Sequence, residues 1–247
     1  MKNPVRVLLV GSAGRMGQAI ADVAKSDPNI DIVASCDQGD PIEPAISSCD
    51  VVIDFSHADA IGDICRVVSQ RKQRLVVGTT GHSIEQRRSI EQCAEAVPVV
   101  LSSNFSVGVN ALFWLTRKAA EMLGPEFDLE IVEMHHRLKK DAPSGTAKEL
   151  AEILKSARQI EKTQHGREGD VGQRPADEIG IHSVRGGDVV GDHTVIFAGT
   201  GERLELTHRA ASRETFAKGA LRAARWIVGR PPGLYSMQDV LGLPPTK

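Results

Sequence analysis

Val5-Arg-Val-Leu-Leu-Val10-Gly11-Ser-Ala-Gly14-Arg-Met-Gly17 is the stretch that decides the fold. Val5 to Val10 is an apolar run closed by glycine, the pattern of a strand buried on both faces of a parallel sheet. Helical periodicity follows from Met16 to Lys25. Glycines between a strand and a helix let the chain turn tightly and let its N–H groups approach a pyrophosphate, with the helix N-terminus adding a favourable dipole. The spacing here is GxxGxxG, whereas the strict dinucleotide pattern would place a glycine at Ser12. A turn that merely needs glycine would look the same in isolation. The surroundings favour a nucleotide. Asp37 follows the next strand, Ile30 to Ser35, where an acid accepts hydrogen bonds from ribose hydroxyls.

Outward from this turn, strand and helix alternate. Val51 to Phe55, Arg74 to Gly78 and Val97 to Leu101 read as strands. Ala60 to Gln70 and Ser83 to Ala96 read as helices, the second opened by a capping-box pair, Ser83 and Gln86. This alternation predicts an α/β fold, a Rossmann-type doubly wound parallel sheet with helices on both faces. Beyond residue 106 the pattern changes. A long helix (Val107 to Leu123), a strand (Leu129 to Met134) and a helix (Ser144 to Ile160) precede a polar segment, Glu161 to Asp177, that reads as a loop. Strands then run from Ile179 to Ala210, with a hairpin around Gly199 to Gly201. This is a second, α+β part with an antiparallel or mixed sheet. Arg213 to Val228 reads as the final helix, ended by Pro231, Pro232 and Gly233.

Composition narrows the function classes. The 247 residues are 41% hydrophobic and 25% charged, enough to bury a core. A net charge of -2 supplies no basic excess for nucleic acid, and 4% aromatic residues leave few platforms for stacking bases. No apolar run approaches membrane-spanning length. The N-terminus enters a strand almost at once, without the apolar segment of a signal peptide. Cys36, Cys49, Cys65 and Cys93 are scattered, without metal-ligand spacing, and read as free thiols in a reducing compartment. The expectation is a cytoplasmic protein that binds small molecules, with no metal, nucleic-acid or membrane partner.

Two groups of residues carry chemistry. At the cofactor end, Asp37 repels a 2′-phosphate and its neighbour Gln38 is neutral, which favours NADH; Arg15 is placed to meet a phosphate, so NADPH stays open. Gly78-Thr79-Thr80-Gly81 and Ser102-Ser103-Asn104-Phe105 follow strands at the carboxyl edge, where open α/β sheets bind ligands. Asn104 and nearby backbone suit a nicotinamide amide, with Phe105 beside the ring; ordinary turn chemistry is the alternative for either segment. The richest stretch is Glu133-Met-His-His-Arg-Leu-Lys-Lys-Asp-Ala-Pro-Ser-Gly-Thr-Ala147. Pro143 and Ser144 mark a helix start, with Ser144 as cap, so the amides of Gly145 and Thr146 face an anion. With the nearby cations they suit a substrate bearing two carboxylates, and imidazole and ammonium are proton donors. Adjacent histidines on a regular strand face opposite sides, so His135 and His136 do not share one pocket.

The run from Glu133 to Ala147 resembles the signature of the 4-hydroxy-tetrahydrodipicolinate (dihydrodipicolinate) reductase family. The resemblance covers nearly the whole chain, through Gly11 to Gly17, Asp54-Phe55-Ser56, Gly78 to Gly81, Asn104 to Gly108, Arg185-Gly-Gly-Asp188, Gly201-Glu-Arg203, Leu206-Thr-His208 and Gly233-Leu-Tyr235. It implies NADH- or NADPH-dependent reduction of a cyclic imine dicarboxylate in diaminopimelate and L-lysine biosynthesis. It implies His135 as the acid/base residue and Lys139 as the proton donor. His136, Ser144, Gly145 and Thr146 would bind substrate. Gly11, Ser12, Ala13, Gly14, Arg15, Met16, Asp37, Gly78, Thr79, Thr80, Ser102, Ser103, Asn104 and Phe105 would bind cofactor. It further implies a homotetramer built through the second domain, and a hinge. The implied domains are 1–106, completed by 213–247, for the dinucleotide, and 107–212 for substrate and oligomerisation. Leu138 stands where some relatives carry histidine, and Gln38 and His57 replace arginines of phosphate-preferring members. Rival readings are an oxidoreductase acting on aspartate or its semialdehyde, and a non-catalytic redox sensor needing the glycine turn but not His135 or Lys139.

Overall fold

The computed structural model describes residues 3–244, so residues 1–2 and 245–247 at the edges of the expected first domain lie outside the described residues. The elements run β1 (Val5–Val10), α1 (Arg15–Ala24), β2 (Ile30–Cys36), α2 (Glu43–Ile46), β3 (Val51–Asp54), α3 (Ile61–Arg71), β4 (Arg74–Val77), α4 (Ile84–Ala96), β5 (Pro98–Leu101), α5 (Val107–Met122), β6 (Asp128–His135), α6 (Gly145–Arg158), β7 (Lys162–His165), β8 (Glu178–Arg185), β9 (Gly191–Gly199), β10 (Glu202–Ala210), α7 (Glu214–Ile227), β11 (Gly233–Tyr235) and α8 (Met237–Leu241). They form two compact units. One comprises the chain up to Val107 and from Arg213 onward; the other is Gly108–Ser212.

The first unit is a six-stranded parallel sheet of order β11-β5-β4-β3-β1-β2. Both faces are covered, and β1 shows why its run is unbroken. Leu8 and Val10 join one core with Ile61, Ile64 and Val68 of α3 and Ile90 of α4; Val7 and Leu9 join a second with Ile20 of α1 and Ala220, Leu221 and Ile227 of α7. Burying each such side chain stabilises the unit by about 1.5–3 kcal/mol. The helix α4 begins at the capping box that Ser83 and Gln86 predicted. The helix α7 belongs to this unit and is tied to Asp27 through Arg225. It is not the last element, contrary to the sequence expectation. β11 pairs with β5 as the sixth strand, and α8 follows behind a Ser236–Asp239 capping box. Three residues, Gly-Leu-Tyr, are too few to show a strand period.

The second unit is a five-stranded mixed sheet of order β10-β9-β6-β8-β7. β6 runs parallel to β8 and antiparallel to β9, and β9 and β10 form the expected hairpin, with Gly201 in the left-handed region at φ +84°. The segment from Glu161 to Asp177, expected as a loop, contains β7, whose polar Lys-Thr-Gln-His lies at the sheet edge against β8. α5 and α6 bury Leu112, Phe113, Leu150 and Leu154 against Leu129, Ile131, Ile181, Val195 and Phe197 on one sheet face. Strand alternation sends Glu130, Val132, Met134, His182 and Ile196 to the other. No helix among the described residues is long and apolar enough to cross a membrane.

Candidate active site

In the first unit the carboxyl ends of the strands interlock around the glycine turn. Gly11 sits at φ +83°, and a Cβ there would overlap the Phe55 carbonyl; a Cβ on Gly17 would overlap the Gly11 carbonyl and Ser12. A Cβ on Gly78 would run into the Phe55 ring. Phe55 thus fills the space between the loops after β1 and β4, and its ring meets Phe105 at 5.6 Å between centroids. The cap of α1, Gly14, offers no side chain to its first-turn amides, the arrangement of helix starts that accept an anion.

Two cavities share Gly14, Phe55 and Ser56. One, of about 810 Å³, is lined by Gly14, Arg15, Met16, Gly78, Thr79 and Thr80; the other, of about 800 Å³, by Gly11, Asp37, Gln38, Ile42 and Asp63. The Asp37 carboxylate accepts from the Ser12 hydroxyl at 2.6 Å and the Ala13 amide at 2.9 Å, and these two bonds hold it below the usual carboxylate range. The turn from Ser102 to Phe105 lines neither cavity. The Ser102 hydroxyl donates to the Asn104 carbonyl, and the Phe105 ring, 2% exposed, is part of the core. Sequence reasoning gave no role to Phe55 or to the buried Asp54. Asp54 accepts from the Ser56 amide, Ser56 also donates to the Thr79 hydroxyl, and burial pushes the Asp54 carboxyl up.

In the second unit the strand β6 ends at His135, which is buried, while His136 beyond it is half-buried and donates its backbone N–H to Val189. Ser144 caps α6 as expected, accepting from Ala147 at 3.1 Å. Gly145 is exposed with open space around its Cα, at the first turn of that helix. Lys139 pairs with Asp141 at 2.8 Å, and Leu138 points to solvent. The residue at the centre is one to which sequence reasoning gave no role, Glu133. Fully buried, its carboxylate accepts from Nη1 and Nη2 of Arg185, each at 2.8 Å, from the Ser144 amide at 3.1 Å and from His135 Nδ1 at 2.6 Å. The signal was available, because residues i and i+2 of a strand share a face. Burial pushes this carboxyl up, but Arg185, His135 and Ser183 outweigh it and hold it at about 2. For His135, burial pulls the imidazole below its ordinary value against the opposing pull of Glu133. His193 on β9 pairs with the Ser144 hydroxyl at 3.0 Å and meets the His135 ring edge-on at 5.1 Å. Burial and then His135 hold it down at about 4.

This cluster sets a pH dependence of stability. Between pH 6.5 and 4 the unfolded chain binds a proton at His193 that the folded unit does not, so stability falls as pH drops through that window. The full effect is on the order of 3 kcal/mol. Glu133, ionised in the fold down to about 2, adds a further loss below pH 4.5. Thermal melts from pH 7 to 4 are expected to show this slope, and His193→Gln is expected to flatten it; an unchanged slope would exclude His193 as its source.

Comparisons with known proteins agree along the whole chain. The family model described as dihydrodipicolinate reductase, N-terminus, matches residues 5–105, and that described as dihydrodipicolinate reductase, C-terminus, matches 108–241. The chain is 57% identical over 242 residues to 4-hydroxy-tetrahydrodipicolinate reductase of Akkermansia muciniphila, covering 97% of this chain and 98% of the relative. It is 45% identical to the enzyme of that name from Aquifex aeolicus, over 97% and 99%. Among solved structures, a dipicolinate-bound dihydrodipicolinate reductase from Paenisporosarcina sp. TG-14 superposes with a TM-score of 0.80 at 25% identity, over 96% of this chain and 98% of that one. The chain belongs to the dihydrodipicolinate reductase family.

Proposed function

We propose that this chain reduces 4-hydroxy-tetrahydrodipicolinate to tetrahydrodipicolinate with a nicotinamide nucleotide, a step of diaminopimelate and L-lysine biosynthesis. The observation that carries this reading is the joining of His135, Lys139 and the start of α6 in one short segment organised by Glu133. A redox sensor would need none of it.

The first unit fits a dinucleotide. Its glycines leave room for a pyrophosphate where side chains would overlap backbone, and Asp37 stands ready for ribose hydroxyls. When bound, the nucleotide supplies the hydride. Gly11 to Met16 hold its phosphates, and Gly78 to Thr80 and Ser102 to Phe105 border the nicotinamide. His136, Ser144, Gly145 and Thr146 hold the substrate carboxylates, the last two through first-turn amides of α6. Lys139 leaves Asp141 to deliver the proton that balances hydride addition, and His135 exchanges a proton as the 4-hydroxyl departs as water.

NADH is the preferred cofactor, because the Asp37 charge opposes a 2′-phosphate. Asp37→Ala is expected to weaken NADH binding roughly tenfold, as loss of charge-assisted bonds does, and to move the NADPH-to-NADH rate ratio upward. An unchanged ratio would remove Asp37 from that role. The protein acts in the cytoplasm, in keeping with four buried free thiols. It assembles as a homotetramer through the second unit, in keeping with the partly apolar sheet face that bears Val132, Met134 and the exposed Val184. The test of the reaction is absorbance loss of NADH, and separately NADPH, on mixing with freshly generated 4-hydroxy-tetrahydrodipicolinate. Loss with either supports the reductase; NADH binding without turnover would overturn the substrate.

A further inference from the structure

We infer that Glu133 is a positioning residue for the reaction, fixing His135 in the tautomer whose Nε2 lone pair faces the substrate side and tying that ring to the first turn of α6. The inference rests on the proposed reductase function and adds to it a residue that touches neither substrate nor cofactor.

Geometry dictates the tautomer. An ionised carboxylate only accepts, so the 2.6 Å contact between Glu133 Oε2 and His135 Nδ1 requires the proton on Nδ1. Nε2 of the neutral ring is then an acceptor, on the side where Gly191 has no side chain; a Cβ at Gly191 would stand 3.0 Å from it. The remaining lone pairs of Glu133 are fully used. Oε1 takes the Ser144 amide and one Arg185 nitrogen, and Oε2 takes the other Arg185 nitrogen together with His135. Arg185 also donates to the Asp141 carbonyl at 2.7 Å. One buried carboxylate thereby connects the proton-transfer ring, the α6 cap and the loop that carries Lys139. A buried carboxylate with these four donors, and the Ser183 hydroxyl beside it, cannot rotate without leaving one unmet.

Glu133→Gln separates this role from simple support. The new amide must place its NH2 group somewhere. At the Oε1 position it would face two donors, the Ser144 amide and Arg185. At the Oε2 position it faces only one fixed donor, because His135 can lose its Nδ1 proton and accept instead. The variant is therefore expected to move the ring proton to Nε2, with the amide oxygen of the new side chain kept on Ser144 and Arg185. The charged groups facing His135 are Glu133 on its own strand, Lys139 in the following loop and Arg185 on β8, with His193 on β9 neutral above about pH 4. Removing the only anion among them moves the His135 titration to lower pH.

The experiment is two-dimensional 15N–1H spectroscopy of the histidine side chains in the full-length protein, with steady-state kinetics and nucleotide binding. Expected are an acceptor Nε2 in the wild type and an Nε2–H in Glu133→Gln. The variant should lose kcat on the order of 10²–10⁴-fold, the range of a misplaced acid/base group, at unchanged Kd for NADH. An Nε2–H in the wild type would overturn the inference, as would a folded variant with the same tautomer and kcat within threefold. Should the lone arginine prevent folding, Glu133→Gln with Arg185→Gln restores charge balance and is held to the same two outcomes. A wild type without turnover, yet with the acceptor Nε2, would overturn the reductase reading and leave the tautomer assignment standing.

Discussion

Lys139→Ala is expected to lower kcat on the order of 10²–10⁴-fold, with NADH binding and melting temperature nearly unchanged. The asymmetry follows from where the side chain is. Lys139 lies in the loop after β6, and its one described ion pair is with Asp141, itself exposed and in the same loop. Exposed pairs of this kind contribute about 0–1 kcal/mol, so the fold loses little. The two cavities beside the glycine turn are built from the first unit and do not include the residue. What is lost is the ammonium proposed above as the donor of the proton that balances hydride addition. Lys139→Arg keeps the charge, but a guanidinium does not release its proton at neutral pH; it should rescue substrate binding more than kcat. Stopped-flow absorbance of NADH with substrate in excess checks both. Full turnover by the alanine variant would refute the assignment.

The second large effect is expected at Gly17. An alanine there would put its Cβ on the Gly11 carbonyl and on Ser12, which are backbone atoms held in turn against Phe55. Neither partner can rotate away, so the turn or the helix α1 must shift. Overpacking of this kind costs about 1–3 kcal/mol, and a displaced turn no longer offers its amides to a pyrophosphate. NADH affinity should fall by at least roughly tenfold, the equivalent of 1.4 kcal/mol. Gly14 is the internal control. Its φ is -68°, and an added Cβ would sit 3.3 Å from the Gly11 carbonyl, a tight contact but not an overlap. Gly14→Ala should therefore be clearly milder in both melting temperature and Kd, by calorimetry and fluorescence titration. Equal losses at the two positions would show that close packing inside the turn is not what the glycines provide.

These two cases mark what could be read locally. The strand β1, the glycine turn, the capping box of α4 and the start of α6 at Ser144 are written in residues that lie within a few positions of one another, so period and capping chemistry reveal them. The position of Asp37 was legible for the same reason, since it directly follows the strand after α1. The joining of His135 to Lys139 in one motif was likewise a matter of short spacing.

Other features have no local signature. β7 is polar throughout and is a strand only because β8 supplies its ladder; β11 is three residues long and is a strand only because β5, far earlier in the chain, lies beside it. The packing of the Phe105 ring against Phe55, 50 residues earlier in the chain, likewise has no local sign. The carboxylate hub is the sharpest example. Glu133 stands opposite Ser183 on β8 and His193 on β9, and His135 stands opposite Arg185. Those pairings come from sheet register, set by the burial of Leu129, Ile131, Ile181, Val195 and Phe197 on one face. The periodic elements, the glycine turn and the motif from His135 to Thr146 are encoded locally, because each depends on near neighbours along the chain. Which buried groups meet across the unit emerges only in the folded protein, because Glu133 and Arg185, like Ser144 and His193, lie about 50 residues apart, and hydrophobic burial rather than local preference aligns them.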